Sequence, residues 1–186
     1  MNRGLTGGSG MDQSLAEIKK GLAREGYICD DATATVLFMA ERMSKPLLIE
    51  GPAGVGKTGL AKAFSLMRGR PLIRLQCYEG LDETKAIYEW NYKKQLLHIL
   101  AVSKDRKWEH IEGDIFSEPY LLPRPLLRAI TSPSPAVLLV DEIDKVDQEF
   151  EAMLPELLGD WQITVPEMGT IGAKHPPPCC WPAPAG

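Results

Sequence analysis

The sequence of 186 residues predicts an α/β fold built on a parallel sheet, and three observations carry that prediction. Short apolar runs alternate along the chain with stretches of helical periodicity, the order expected of βαβ units. One run, "PLLIE" at 46–50, opens directly into a glycine-rich turn. Another, "AVLLV" at 136–140, is the most apolar stretch of the chain and ends on two acids.

Taken in order, residues 1–11 are glycine-rich and are expected to be disordered. From Asp12, apolar Leu15, Ile18 and Leu22 recur at helical spacing and stop near Gly26. Asp30 or Asp31 caps a second helix with Val36, Met39, Ala40 and Met43 on one face. The period then changes, and 46–50 reads as a buried strand. A helix from Lys57 to about Met67 follows, then a strand at "PLIRLQ", 71–76. Residues 82–101 read as helical and 102–124 as polar and irregular, with a short helix at Leu126–Ile130. Run 136–140 reads as a central strand. Phe150, Met153, Leu154 and Leu157 mark another helix, and "QITV" at 162–165 a short strand.

Composition narrows the function classes. Hydrophobic content of 44% with 25% charged residues is that of a soluble globular chain long enough for one sizeable core. A net charge of −4 weighs against a nucleic-acid duplex as the main partner. No apolar run approaches the roughly 20 residues that span a bilayer, and the N-terminus lacks the apolar core of a secretory signal. A cytoplasmic chain is expected. Cys29, Cys77, Cys179 and Cys180 show no C-x-x-C spacing, which argues against a zinc site or a disulfide framework. Cys29 and Cys77 read as small buried apolar groups, His98 and His110 as surface residues.

Chemistry enters at 47–64, "LLIEGPAGVGKTGLAKAF", which contains G-x-x-x-x-G-K-T. Backbone N–H groups can converge on phosphate oxygens only where no Cβ intervenes, which Gly51, Gly54 and Gly56 permit. Pro52, Ala53 and Val55 complete the loop. A helix starting at Lys57 aims its positive end at the same phosphates. The Lys57 ammonium reaches the β- and γ-phosphates of ATP, and the Thr58 hydroxyl is a ligand for Mg²⁺. The bare pattern arises by chance in roughly one chain in a few hundred, and its place between a strand and a helix makes chance a poor account. The strand at 136–140 delivers Asp141 and Glu142 where ligands bind open α/β sheets. Asp141 then holds the Mg²⁺ shell, and Glu142 orients and polarises an attacking water.

With these motifs the chain resembles the AAA+ ATPases and, more narrowly, the MoxR family. The resemblance rests on "KPLLIEGPAGVGKT", "IRLQCYEGLDETKAIYEWNY", "DIFSEPYLLPRPLLRAI" and "VLLVDEIDKVDQEFEAMLPELLGDWQITVPEMGTI", and covers about residues 12–173. It implies a P-loop NTPase three-layer sandwich, with Gly51 to Thr58 as Walker A and Asp141 and Glu142 as Walker B. The subgroup it looks most like accompanies carbon monoxide dehydrogenase and other molybdenum hydroxylases. Such proteins imply a hexameric ring that hydrolyses ATP to remodel or activate a protein client, a metalloenzyme, with a von Willebrand factor A domain partner. Tyr88, Trp90 and Tyr92 fall where the superfamily builds loops facing substrate or partner, although packing on a neighbouring helix is the simpler reading. Arg124 and Arg128 read as ordinary solvated or salt-bridged arginines before they read as groups facing a neighbouring subunit.

Two features depart from the family. Pro155 interrupts the apolar stripe 150–157, as a tolerated kink or a local defect. "KHPPPCCWPAPAG" at 174–186 stands where the family continues into a strand bearing a sensor of the γ-phosphate, then a helical lid. Five prolines argue that this tail cannot form a central strand, and its cysteines and His175 are poorly spaced for a metal. Codon arithmetic suggests a cause: read one base earlier, Pro178 to Pro182 become Leu/Val/Met-Leu-Leu-Ala. The expectation is thus a disordered segment at 1–11, a partial ATPase core at 12–173 and an aberrant tail at 174–186, with sensor strand and lid missing. Hydrolysis would then be slow. The alternative is a non-catalytic nucleotide-binding fragment from a frameshifted gene.

Overall fold

The computed structural model describes residues 8–49, 54–102, 108–175, 177 and 179–182. Helix α1 (Gly8–Arg24) begins four residues ahead of Asp12, so the disorder expected over 1–11 does not extend to 8–11; residues 1–7 lie outside the described residues. Helix α2 (Asp31–Met43) is capped by Asp30, whose carboxylate accepts the N–H of Thr33 at 2.8 Å. Strand β1 (Leu47–Ile49), helix α3 (Lys57–Arg68) and strand β2 (Leu72–Gln76) follow.

The next stretch differs from the expected single helix. A short helix α4 (Glu83–Ile87) gives way to strand β3 (Tyr88–Trp90), then helix α5 (Tyr92–Val102). Tyr88 and Trp90 alternate at a period of two, and the pleated surface suits aromatic side chains. Their strand pairs antiparallel with β4 (Leu121–Pro123), after a helix α6 (Trp108–Ile115). Both β4 and α6 lie in the span that reads as irregular in the sequence. Their apolar content is sparse and short, and the partner strand lies about thirty residues away.

Helix α7 (Pro125–Ile130) leads into β5 (Val137–Asp141), buried at every position. Helix α8 (Gln148–Asp160) runs through Pro155 without ending there. It is followed by the antiparallel hairpin of β6 (Gln162–Val165) and β7 (Gly169–Gly172). The last element is β8 (Cys179–Pro182).

The main sheet has the order β1-β8-β5-β2, all parallel. This corrects the expectation that the tail cannot form a central strand, because β8 lies between β1 and β5. Leu47 pairs with Cys180 on one side of β8, and Leu139 pairs with Cys180 on the other. The reason is positional. Cys179, Cys180 and Trp181 form a window without proline, and Pro182 falls at the strand end, where a missing donor breaks least. Strands β1 and β5 offer rows of backbone groups on either side of that window.

The two faces of β5 feed two cores. Val137 joins Ile18, Leu22, Leu37, Leu60 and Phe64 under α1, α2 and α3. Leu138 and Val140 join Leu126, Ile130, Leu154 and Leu158 under α7 and α8. The result is a three-layer arrangement with helices on both faces of a parallel sheet.

Candidate functional site: the carboxyl edge of the parallel sheet

The turn between β1 and α3 needs glycine for backbone reasons. Gly54 and Gly56 sit at φ +85° and +89°, in the left-handed region that a side chain disfavours. A Cβ on Gly56 would also lie 3.3 Å from the ring of Tyr27. Gly56 is the N-cap of α3 and offers no side chain to its first N–H groups. The amino end of a twelve-residue helix therefore keeps its donors for a ligand. Val55 is exposed beside it, and Lys57 opens the helix. Gly51, Pro52 and Ala53 lie outside the described residues.

The two sequence motifs meet. Thr58 Oγ1 approaches Asp141 Oδ2 at 3.3 Å, between residues 83 apart in the chain. The Cys77 N–H donates to the Asp141 carbonyl at 2.8 Å, extending the pairing of β2 with β5 by one residue. The Cys77 thiol is pushed up to about 12, chiefly by burial and then by the negative charges of Asp141, Asp144 and Glu142. It stays neutral and takes no part in nucleophilic chemistry. Glu142 leaves the strand at φ +57°, a left-handed conformation that costs a side-chain-bearing residue about 1 kcal/mol. Its carboxylate pairs with Lys145 at 2.5 Å, one turn on.

Two participants are absent from the sequence reading. Arg74 of β2 reaches Asp141 Oδ2 at 2.6 Å. Tyr27, between α1 and α2, lies against Gly56 and Gly59. Arg74 has a legible signal: with Gln76 it is a polar pair at period two in the otherwise apolar strand "LIRLQ". Tyr27 has none, because its neighbours in space are thirty residues ahead in the chain.

The other candidates lie elsewhere. Trp90 is 6% exposed and stacks edge-on against Phe116 and Tyr88, whereas Tyr92 is 67% exposed at the start of α5. Arg124 ion-pairs with Glu89 beside the antiparallel β3–β4 pair, and Arg128 is exposed on α7. His98 is not a free surface group: its ring packs edge-on against Tyr120, with Nε2 buried. The His110 side chain lies outside the described residues. Cys29 is half-buried, and burial raises its thiol. Among the described residues no group of three His, Cys, Asp or Glu could hold a metal on its own. No described helix is long and apolar enough to cross a membrane.

A glycine turn feeding a helix, with a hydroxyl and a carboxylate brought together at the carboxyl edge of a parallel sheet, defines a P-loop nucleotide-binding class. The chain matches the AAA domain family, dynein-related subfamily, over residues 46–178, and it belongs to that family. The crystal structure of a candidate ATPase from Cytophaga hutchinsonii superposes with a TM-score of 0.55 at 15% identity, a likeness of fold. The match covers 92% of this chain and 44% of that one, so the chain spans less than half of that protein. No curated protein matches the chain.

The residues present fit a hydrated Mg²⁺ carried by a nucleotide. The Thr58 hydroxyl and the Asp141 carboxylate are hard oxygen donors, and two such groups with phosphates and waters are what this ion accepts. The cation would neutralise charge on the phosphates while Lys57 and the N–H groups of α3 hold them.

Proposed function

We propose that the chain binds ATP with Mg²⁺ and hydrolyses it, as the ATPase core of a MoxR-type chaperone that remodels or activates a protein client. The observation that carries this reading is the approach of Thr58 to Asp141, which joins the two motifs at one sheet edge. In this reading Lys57 and the α3 amino end orient the phosphates, Thr58 and Asp141 hold the cation shell, and Glu142 takes up a proton from the attacking water. Glu142 must first leave Lys145, whose ammonium lies on the same carboxylate. The resemblance of 12–173 to MoxR proteins supports a metalloenzyme client, a von Willebrand factor A domain partner, a hexameric ring and a cytoplasmic setting.

A titration with a fluorescent ATP analogue, run beside a phosphate-release assay, tests the reading. Wild type should bind in Mg²⁺, Lys57→Ala should lose binding, and Glu142→Gln should bind yet lose turnover. Turnover that survives Glu142→Gln would sink the hydrolytic role. A second reading is favoured by residues 174–186, whose sequence departs from the MoxR resemblance that ends near residue 173. In that case the chain is a nucleotide-binding fragment that binds without measurable turnover, and the gene, read one base earlier, encodes an apolar strand.

A further inference from the structure

We propose that Arg74 is a positioning residue that holds Asp141 as an internal counter-ion and sets how much Mg²⁺ the site needs before nucleotide binds tightly. The proposal rests on the nucleotide-binding reading and adds a residue that neither sequence motif contains.

Register puts Arg74 opposite Leu139 in the β2–β5 pair, so Asp141 stands two residues further along the neighbouring strand. Residues two apart share a face, and Arg74, Leu139 and Asp141 all face the α3 layer. From there Arg74 Nη2 donates to Asp141 Oδ2 at 2.6 Å. This is the same oxygen that Thr58 Oγ1 approaches at 3.3 Å. One carboxylate oxygen thus serves both the guanidinium and the hydroxyl beside which a cation would sit.

The exposures of the two partners differ in a way that matters. The Asp141 side chain is 11% exposed and cannot move away from the sheet edge, whereas Arg74 is 48% exposed and can swing into water. A buried carboxylate without a counter-ion is costly, so Arg74 neutralises and orients Asp141 while no cation is present. An arriving dication meets a like charge on the oxygen it would share. Coulomb repulsion is strong where solvent is sparse, so loading must displace Arg74 or tolerate it. Lysine would keep the charge without the planar fork. Methionine keeps the packing of the stem and removes the charge.

The test measures the Mg²⁺ concentration at half-maximal binding of a fluorescent ATP analogue. Arg74→Met should lower that midpoint about fivefold, equivalent to about 1 kcal/mol. Arg74→Lys should return it to within about twofold of wild type, a rescue that a purely structural ion pair would not predict. In an Asp141→Asn background, Arg74→Met should shift the midpoint by less than about twofold, since the oxygen in contention has lost its charge. If Arg74→Met loses its near-UV circular dichroism signal, Arg74→Gln makes the same comparison. A midpoint unchanged or raised in a folded neutral variant overturns this proposal alone. Absence of nucleotide binding by wild type, with or without Mg²⁺, overturns the nucleotide-binding reading and this proposal with it.

Discussion

Strands β5 and β8 are neighbours in one parallel sheet, yet they reach their places by opposite routes. Strand β5 is five residues buried at every position, and it carries its destination in its own composition. It pairs with β2 over its full length, from Val137 with Leu72 to Asp141 with Gln76. Strand β8 is bordered by prolines and pairs with β5 at two positions and with β1 at three. What places it is the slot between β1 and β5, where two rows of backbone donors and acceptors need partners. One strand organises the sheet, and the other completes it.

The sharpest way to break that comparison is at the residue where the two strands meet. Leu139 pairs with Arg74 on one side and Cys180 on the other, and it is fully buried with Ala61. Leu139→Ala should cost about 3 kcal/mol of unfolding free energy, read as a lowered urea midpoint. Next in size is Cys180→Pro. It removes the N–H at the centre of β8 and leaves a neighbouring buried carbonyl without a donor, for a loss of about 2 kcal/mol. Amide hydrogen exchange at Cys180 and Trp181 should show protection in wild type. If the proline variant melts like wild type and those amides exchange freely, β8 does not complete the sheet.

The same contrast explains what the sequence made legible. Strands β1, β2 and β5 and helices α2, α3 and α7 announce themselves by period, caps and apolar runs. So do the loop at Gly54–Thr58 and the acids at Asp141 and Glu142. All of these are local signals. The pairing of Tyr88–Trp90 with Leu121–Pro123 is not local, because three-residue strands have no period long enough to read and their stability comes from each other. The tail misleads for a related reason. Counting prolines over 176–186 averages away the proline-free residues Cys179 to Trp181, and propensity yields to an open slot in a sheet. The polar pair Arg74 and Gln76 is visible in the sequence, but its meaning depends on register: only when Leu139 stands opposite does Asp141 come within reach.

A third measurement sharpens the β5 side. Cys77 continues β2 and donates its N–H to Asp141, and its thiol keeps its proton up to about 12 against an ordinary value of 9.0. The folded-state value is raised, so the contribution of the neutral thiol is full below about pH 9. It declines as pH rises from there towards 12, because the unfolded chain ionises first. Between pH 9 and 10 the unfolding free energy of wild type, read from its urea midpoint, should fall relative to Cys77→Ala by less than about 1 kcal/mol, the limit before screening. A parallel decline in both proteins would show that the thiol contributes nothing there.

The smallest effect concerns how far the surroundings of β5 are encoded without the sheet. Helix α8 leaves the acidic turn after β5 through Asp147, whose carboxylate accepts the N–H of Phe150 at 2.8 Å. That bond closes within three residues and needs no partner strand. Phe150 itself is buried with Leu154 and Leu158 against the Leu138 and Val140 face, so the cap also sets where the helix meets the sheet. Asp147→Ala should cost somewhat under 1 kcal/mol, and Asp147→Asn, which keeps an acceptor, should cost almost nothing. The informative outcome is the pairing of this variant with Cys180→Pro. Two independent devices should give additive losses, because the cap and the centre of β8 share no partner. A joint loss well above the sum would mean that β8 also steadies the far face of β5, and that completing the sheet fixes the helix that follows Asp141 and Glu142.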